Sequence, residues 1–431
     1  MENFKEIFKE IIEEDLFNES EKDEIYPRTH EVSAFKNKAI VLIGSRRAGK
    51  STLLLQIIGN KKNKVFLNFE DERLIDIKVG DLQSLLDAYV EINPHYEEGQ
   101  ELHLALDEIQ GIVGWEKFVE RQIRVKNRFV WITGSSAKML SKEIATTLRG
   151  RSLSYEVFPF SFQELLSIKK ISKDSKRSSK IKRQVFLKEC VLGSCYPEVF
   201  DLAQGMKNKI LQEYFNVMIV RDIAERHHIS SIDQIKATLR ILFQSLGTKF
   251  SINKIVEKLK SSGYSSDKEL CSEIIQAAKD CFLVFTVKIW AKSIHKQNIN
   301  PKKIYLIDNG LFKAIIPSHG IDEDFGHLFE NFIFLHLRRL YSGLFYYKTK
   351  EGYEVDFYIP EKKWAIQVMA YSHAPETLER EIRALKSAMQ ELQLKESFLI
   401  SLEKDEMINT KEGKIHLISA SNFLLGLGDV K

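Results

Sequence analysis

Residues 38–60, KAIVLIGSRRAGKSTLLLQIIGN, constrain this chain more than any other stretch. The apolar, mostly β-branched run at 40–43 reads as a buried strand, and Gly44, Ser45, Arg46, Arg47, Ala48, Gly49, Lys50 and Ser51 then fit GxxxxGK[ST] without a mismatch. A polyphosphate can be wrapped by backbone N–H groups only where no Cβ obstructs, which Gly44 and Gly49 provide. Lys50 is placed to reach the β- and γ-phosphates, and Ser51 to put its hydroxyl on Mg²⁺. From Thr52 the chain reads as a helix to residue 58, its positive end facing the anion. A guanine-selecting NKxD is absent, since Asn60-Lys61-Lys62-Asn63 has the wrong fourth residue. ATP with Mg²⁺ is the expected ligand.

The flanking pattern is α/β. Strands are expected at 64–69, 102–106 and 128–133, with helices at 82–92 and 115–125. The second of these strands ends in Asp107-Glu108, about 57 positions after Lys50, where a carboxylate beside a phosphate-loop strand completes the Mg²⁺ shell. Asp107 is assigned to the metal and Glu108 to activation of the attacking water. Ser135, just after the third strand, is read as a sensor of the γ-phosphate, with a helix cap as the alternative. Arg28, His30 and Glu31 are read as a solvated connector, with contact to the nucleotide base as the alternative.

At 431 residues the chain is too long for one ordinary core. Hydrophobic content of 44% with 29% charged residues describes a soluble globular protein. The net charge of +4 permits nucleic acid without demanding it. Four cysteines without zinc-type spacing read as reduced thiols, and neither a signal peptide nor a membrane span is visible. A cytoplasmic protein without a membrane partner is expected.

GSRRAGKST, LDEIQ, TGSSA, LRGR and PFSFQE, in this order, followed by Arg221-Asp222, YLIDNG at 305–310 and EVDF at 354–357, resemble the bacterial and archaeal AAA-type ATPases that carry a winged-helix region and a C-terminal domain of restriction-endonuclease type. The resemblance implies a parallel-sheet AAA core, a helical and winged-helix region, then a small α/β domain. It also implies an arginine finger acting on a nucleotide held by a neighbouring subunit, hence a homo-oligomer. Arg149 and Arg151 match that position, and a planar guanidinium suits the developing phosphoryl charge.

Three domains are therefore expected, at 1–166, 167–320 and 321–431. The basic, serine-containing segment 168–183 reads as the hinge between the first two, solvated or in contact with phosphates. Two helices at 251–263 and 266–278 followed by a hairpin match a winged helix, whose basic wing (Lys288, Lys292, Lys296, Lys302, Lys303) suits DNA and whose acidic second-helix start suits a protein partner. Arg221-Asp222 is read as an internal ion pair or an interdomain contact. In the last domain Glu330 and Asp356 match two positions of a PD-(D/E)xK nuclease, while Gln367 and Met369 stand where Glu and Lys are expected. Glu361-Lys362-Lys363 spells ExK in a turn. The expected activity is ATP hydrolysis in the service of DNA, with a catalytically degenerate nuclease-like domain. A nucleotide-controlled switch that binds a protein, and an active metal-dependent nuclease, are the alternatives.

Overall fold

The run at 39–43 forms strand β1 (Ala39–Ile43), every residue of which is buried. The computed structural model of the chain describes residues 4–18, 26–134, 148, 150–316, 321–370 and 375–426. The chain divides into two compact units, residues 1–158 and 159–431.

In the first unit β1 joins β2 (Lys64–Asn68), β3 (Leu102–Asp107), β4 (Arg128–Gly134) and β5 (Ser152–Glu156) in a fully parallel sheet of order β2-β3-β4-β1-β5. Parallel strands need crossovers that cover the faces, so they read as continuous apolar runs rather than alternating ones. The helices are α1 (Phe4–Asn18), α2 (Lys50–Gly59), α3 (Leu82–Ile92) and α4 (Trp115–Gln122). Leu53, Leu54 and Ile58 of α2 pack on Ile40, Leu42, Ala105 and Trp131. Lys9 of α1 pairs with Glu91 of α3 at 2.8 Å. The sequence placed the carboxylate strand beside the phosphate-loop strand, but β4 stands between them, paired to both.

The second unit carries helices α5 (Phe162–Ile168), α6 (Arg177–Leu192), α7 (Gln204–Val217), α8 (Ile232–Phe243), α9 (Ile252–Ser261), α10 (Lys268–Asp280), α11 (Ile294–Ile299), α12 (Asn309–Ile315), α13 (Ile321–Leu340), α14 (Pro375–Leu392) and α15 (Ala420–Gly426). Its strands are β6 (Lys249–Phe250), β7 (Val284–Ile289), β8 (Lys302–Leu306), β9 (Phe345–Lys348), β10 (Glu354–Ile359), β11 (Trp364–Met369), β12 (Glu396–Ser401), β13 (Glu406–Asn409) and β14 (Lys414–Ser419). They form one nine-stranded sheet, β13-β14-β12-β11-β10-β9-β7-β8-β6.

That sheet crosses residue 320: within the unit 159–431, β7 pairs in parallel with β9 through Lys288–Phe345 and Ile289–Tyr346. The expected hinge at 168–183 is built structure: α6 begins within it, and Arg183, 1% exposed, donates to the carbonyls of Ser172 at 2.9 Å and Asp174 at 2.8 Å. Arg221 and Asp222 do not pair with each other. Arg221 lies 3.5 Å from Glu225 and the buried Asp222 3.6 Å from Arg226, each one helical turn on. The four cysteines are buried free thiols. Among the described residues no helix is long and apolar enough to cross a membrane.

Candidate nucleotide site and a second carboxylate cluster

The loop between β1 and α2 turns through left-handed backbone at Arg47 (φ 62°) and Gly49 (φ 89°). Such alternation points successive N–H groups into one concavity, and Gly49 hands the chain directly to α2. Gly44 is required for a different reason: a Cβ there would lie 2.2 Å from the Val157 carbonyl oxygen. Arg28 fixes the loop from outside, donating to the Ala48 carbonyl at 2.7 Å and the Phe158 carbonyl at 2.7 Å. It is therefore a positioning residue for the loop rather than a solvated connector.

Lys50 is buried, its Nζ donating to the carbonyls of Gly44 at 3.2 Å and Ser45 at 3.0 Å, with Glu108 Oε1 at 3.8 Å. Asp107 is 2% exposed and holds hydrogen bonds from the hydroxyls of Thr133 and Ser51. Burial outweighs those bonds and the Lys50 charge, so its carboxyl sits above the usual aspartate range. Glu108 adopts a left-handed conformation, φ 54°, uncommon for a residue with a Cβ. The conformation is held by its N–H, which donates to Thr133 Oγ1 at 3.0 Å, while the Gln110 side chain donates to its carboxylate. Because the strands are parallel, the ends of β1, β3 and β4 share one edge, and that edge brings Lys50, Ser51, Asp107, Glu108 and Thr133 together.

A second cluster lies in the nine-stranded sheet. Lys303 of β8, whose side chain is 3% exposed, places Nζ 2.8 Å from Asp356, 3.1 Å from Glu354 and 3.2 Å from Glu330. Tyr305 donates to Glu330 at 2.6 Å. Burial, followed by the charge of Asp356, pushes the Glu330 carboxyl up to about 7. Gln367 is held by both ends, accepting from the Asp356 N–H at 3.1 Å and donating to Glu381 at 2.8 Å.

Comparison with known proteins agrees with the first site. An AAA-domain family model matches residues 36–166, and two models described as domains of unknown function, DUF8612 and DUF4143, match 185–322 and 325–423. The uncharacterized protein MJ1544 of Methanocaldococcus jannaschii is 35% identical over 97% of this chain and 94% of its own length. The chain belongs to the MJ1544 family of AAA-type P-loop ATPases. An uncharacterized Haemophilus influenzae relative is 30% identical to this AAA-type chain over 70% of it and 75% of the relative. Among solved structures, the Orc1 protein of Aeropyrum pernix in complex with DNA covers 72% of the chain and 91% of its own at 12% identity and a TM-score of 0.27. Cdc6p of Pyrobaculum aerophilum covers 64% and 86% at 13% identity and a TM-score of 0.25. Scores that low tie neither a fold nor a ligand to this AAA-type chain.

The residues of the AAA-type site fit ATP and Mg²⁺. The loop offers a buried ammonium and converging N–H groups, and Asp107 and Ser51 offer two adjacent oxygens of the kind Mg²⁺ takes alongside phosphate and water. Arg46 turns toward Glu70 at 3.4 Å, and Thr52 lies half-buried in the first turn of α2. Ser135 and Arg149 lie outside the described residues. Arg151 is exposed, 3.7 Å from Glu120. Thr133 and Gln110 were missed from sequence. The only signals were a hydroxyl ending an otherwise apolar strand and an amide two places after Glu108.

Proposed function

We propose that this chain binds ATP with Mg²⁺ at residues 44–52 and hydrolyses it, as an AAA-type ATPase that acts on DNA. The observation that carries the reading is the convergence of Lys50, Ser51, Asp107 and Glu108 on one sheet edge. Bound ATP and Mg²⁺ supply the phosphoanhydride and the charge that polarises it. Lys50 turns its ammonium from the Gly44 and Ser45 carbonyls to the phosphates, and Ser51 and Asp107 hold the metal. Glu108, fixed through Thr133 and Gln110, orients water and accepts its proton. Ser135 is proposed as the sensor. Arg151 or Arg149 is proposed as a finger on a neighbouring subunit's nucleotide, which makes the working form a homo-oligomer.

The DNA part of the proposal is supported by the order α8, β6, α9, α10, β7, β8, in which β8 pairs antiparallel with both β6 and β7. That is the connectivity of a winged helix, with α10 as its second helix and β7–β8 as its wing. Beyond it, Glu330, Asp356 and Gln367 occupy a helix and two adjacent strands, as a PD-(D/E)xK core would place them. A lysine at the centre of that cluster and the missing acid at Gln367 support a nuclease-like domain without cleavage.

In the test, Lys50→Ala should abolish tight ATP binding, and Glu108→Gln should bind ATP while losing turnover by about 100-fold or more. Wild-type turnover in Glu108→Gln would remove the base assignment. ATPase rates with and without duplex DNA across a salt series test the coupling, and rates indifferent to DNA would remove it.

A further inference from the structure

A cleft of about 320 Å³ opens between the start of α9, the exposed face of α10 and the β7–β8 pair with α11. Lys279 of α10 and Lys302 of β8 line it, and Lys288 of β7 is close enough to repel both. Burial first, and then this repulsion, hold Lys279 and Lys302 below the ordinary lysine range. The acid that acts on Lys279 is Asp280, next to it in sequence. The hydrogen bonds that Lys288 and Lys279 make go to the neutral amides of Asn298 at 2.8 Å and Gln276 at 3.1 Å. No carboxylate forms an ion pair with any of the three among the described residues. Like charges gathered in a half-buried cleft repel one another, and an anion between them reverses the sign of the interaction.

A second feature points the same way. The ten-residue helix α9 begins at the cleft, and its N-cap Ser251 makes no side-chain capping hydrogen bond, whereas Ser231, Asp267 and Ser293 cap the helices around it. The first N–H groups of a helix attract anions. Glu269 and Glu273, on the exposed face nearer the start of α10, repel them.

We propose that this cleft binds a phosphate group carried on a nucleic-acid backbone, with Lys279, Lys302 and the first turn of α9 as its donors and Lys288 in support. The proposal rests on the DNA reading above and deepens it: contact is with the backbone, so binding is independent of base sequence.

The test is fluorescence anisotropy of the full chain with two duplexes of unrelated sequence, across a salt series. Lys279→Gln/Lys302→Gln should weaken both duplexes alike by about 10-fold or more and reduce the slope of log K against log salt by about 2. Lys258→Gln/Lys260→Gln, the same charge change at the other end of α9, should leave the slope unchanged, and Lys279→Arg/Lys302→Arg should retain binding. Wild-type-like binding by the Gln pair, or an equal loss in both Gln pairs, overturns the cleft while the DNA reading stands. Absence of duplex binding by the wild type with ATP or ADP removes the DNA reading itself. A calorimetric titration of tripolyphosphate into Lys50→Ala then separates the sources, since binding that depends on Lys279 and Lys302 without any duplex binding assigns the cleft to a free anion and overturns the backbone proposal.

Discussion

Thr133 holds the two acidic positions of the nucleotide site in register, donating to Asp107 and accepting from the Glu108 N–H through the same oxygen. Thr133→Val keeps the shape and removes both bonds. ATPase is expected to fall about 10- to 100-fold with a stability loss of about 1–3 kcal/mol, and Thr133→Ser should restore most of the rate. An unchanged rate in the Val variant would sink this role. Lys303→Met leaves three carboxylates gathered around a lost cation. The second unit should lose about 3–5 kcal/mol in urea titration, and Mn²⁺, without effect on the wild type, should raise the variant's melting temperature. Thr133 was not legible as a site residue, and Lys303, read from the sequence as part of a basic wing for DNA, is instead buried against Glu330, Glu354 and Asp356; each acts on groups from another element, and no spacing along the chain records that pairing. Gly44, Lys50 and Ser51 follow the end of β1 and Asp107 ends β3, so each was picked out by a motif contiguous in the chain. His336 gives a pH test: the residue is half-buried, its Nε2 is buried without a hydrogen-bond partner, and burial with the nearby Arg339 charge lowers its pKa to about 3. The unfolded chain therefore binds the proton first, so stability is present above pH 6.5 and lost as pH falls towards 3, by up to about 1.4 kcal/mol per unit. His336→Phe should remove that slope, measured as the difference in unfolding free energy between pH 6.5 and 4.5.

Among the elements, those with strong periodicity or unbroken apolar runs stand where the sequence puts them: α3 spans Leu82–Ile92, and β3 spans Leu102–Asp107 against the expected 102–106. Order within the sheet was not readable. The insertion of β4 between β1 and β3 depends on crossover paths, and every one of these strands is apolar enough for a central place. The loop before α2 likewise depends on a distant segment, since β5 runs on into the Val157 carbonyl that closes over Gly44. Gly44→Ala should cost ATP affinity about as heavily as Lys50→Ala while α2 itself persists by circular dichroism, because the clash is with backbone rather than a movable side chain. Arg28→Ala should raise the KM for ATP with less effect on kcat, as expected of a group that shapes the loop from behind.

At the scale of the molecule, two units imply two unfolding transitions in urea, with residues 159–431 unfolding together because the β7–β9 pairing and the Lys303 cluster cross the expected boundary at 320. A separate transition for residues 321–431 would contradict this. The proposed finger gives a test of assembly: mixed oligomers of Lys50→Ala with Arg149→Ala/Arg151→Ala subunits should regain ATPase that neither has alone. The Lys303 cluster also has a history within each round of synthesis. Lys303 leaves the ribosome 53 residues ahead of Asp356, an interval of roughly 3–10 s at ordinary translation rates. For that time a lysine destined for burial stands in water beside a β7 edge whose partner has not been made. The nascent chain is then a half-sheet open to the β9 of any neighbouring polypeptide, and the tempo of translation between β8 and β10 becomes part of what determines whether each molecule closes on itself.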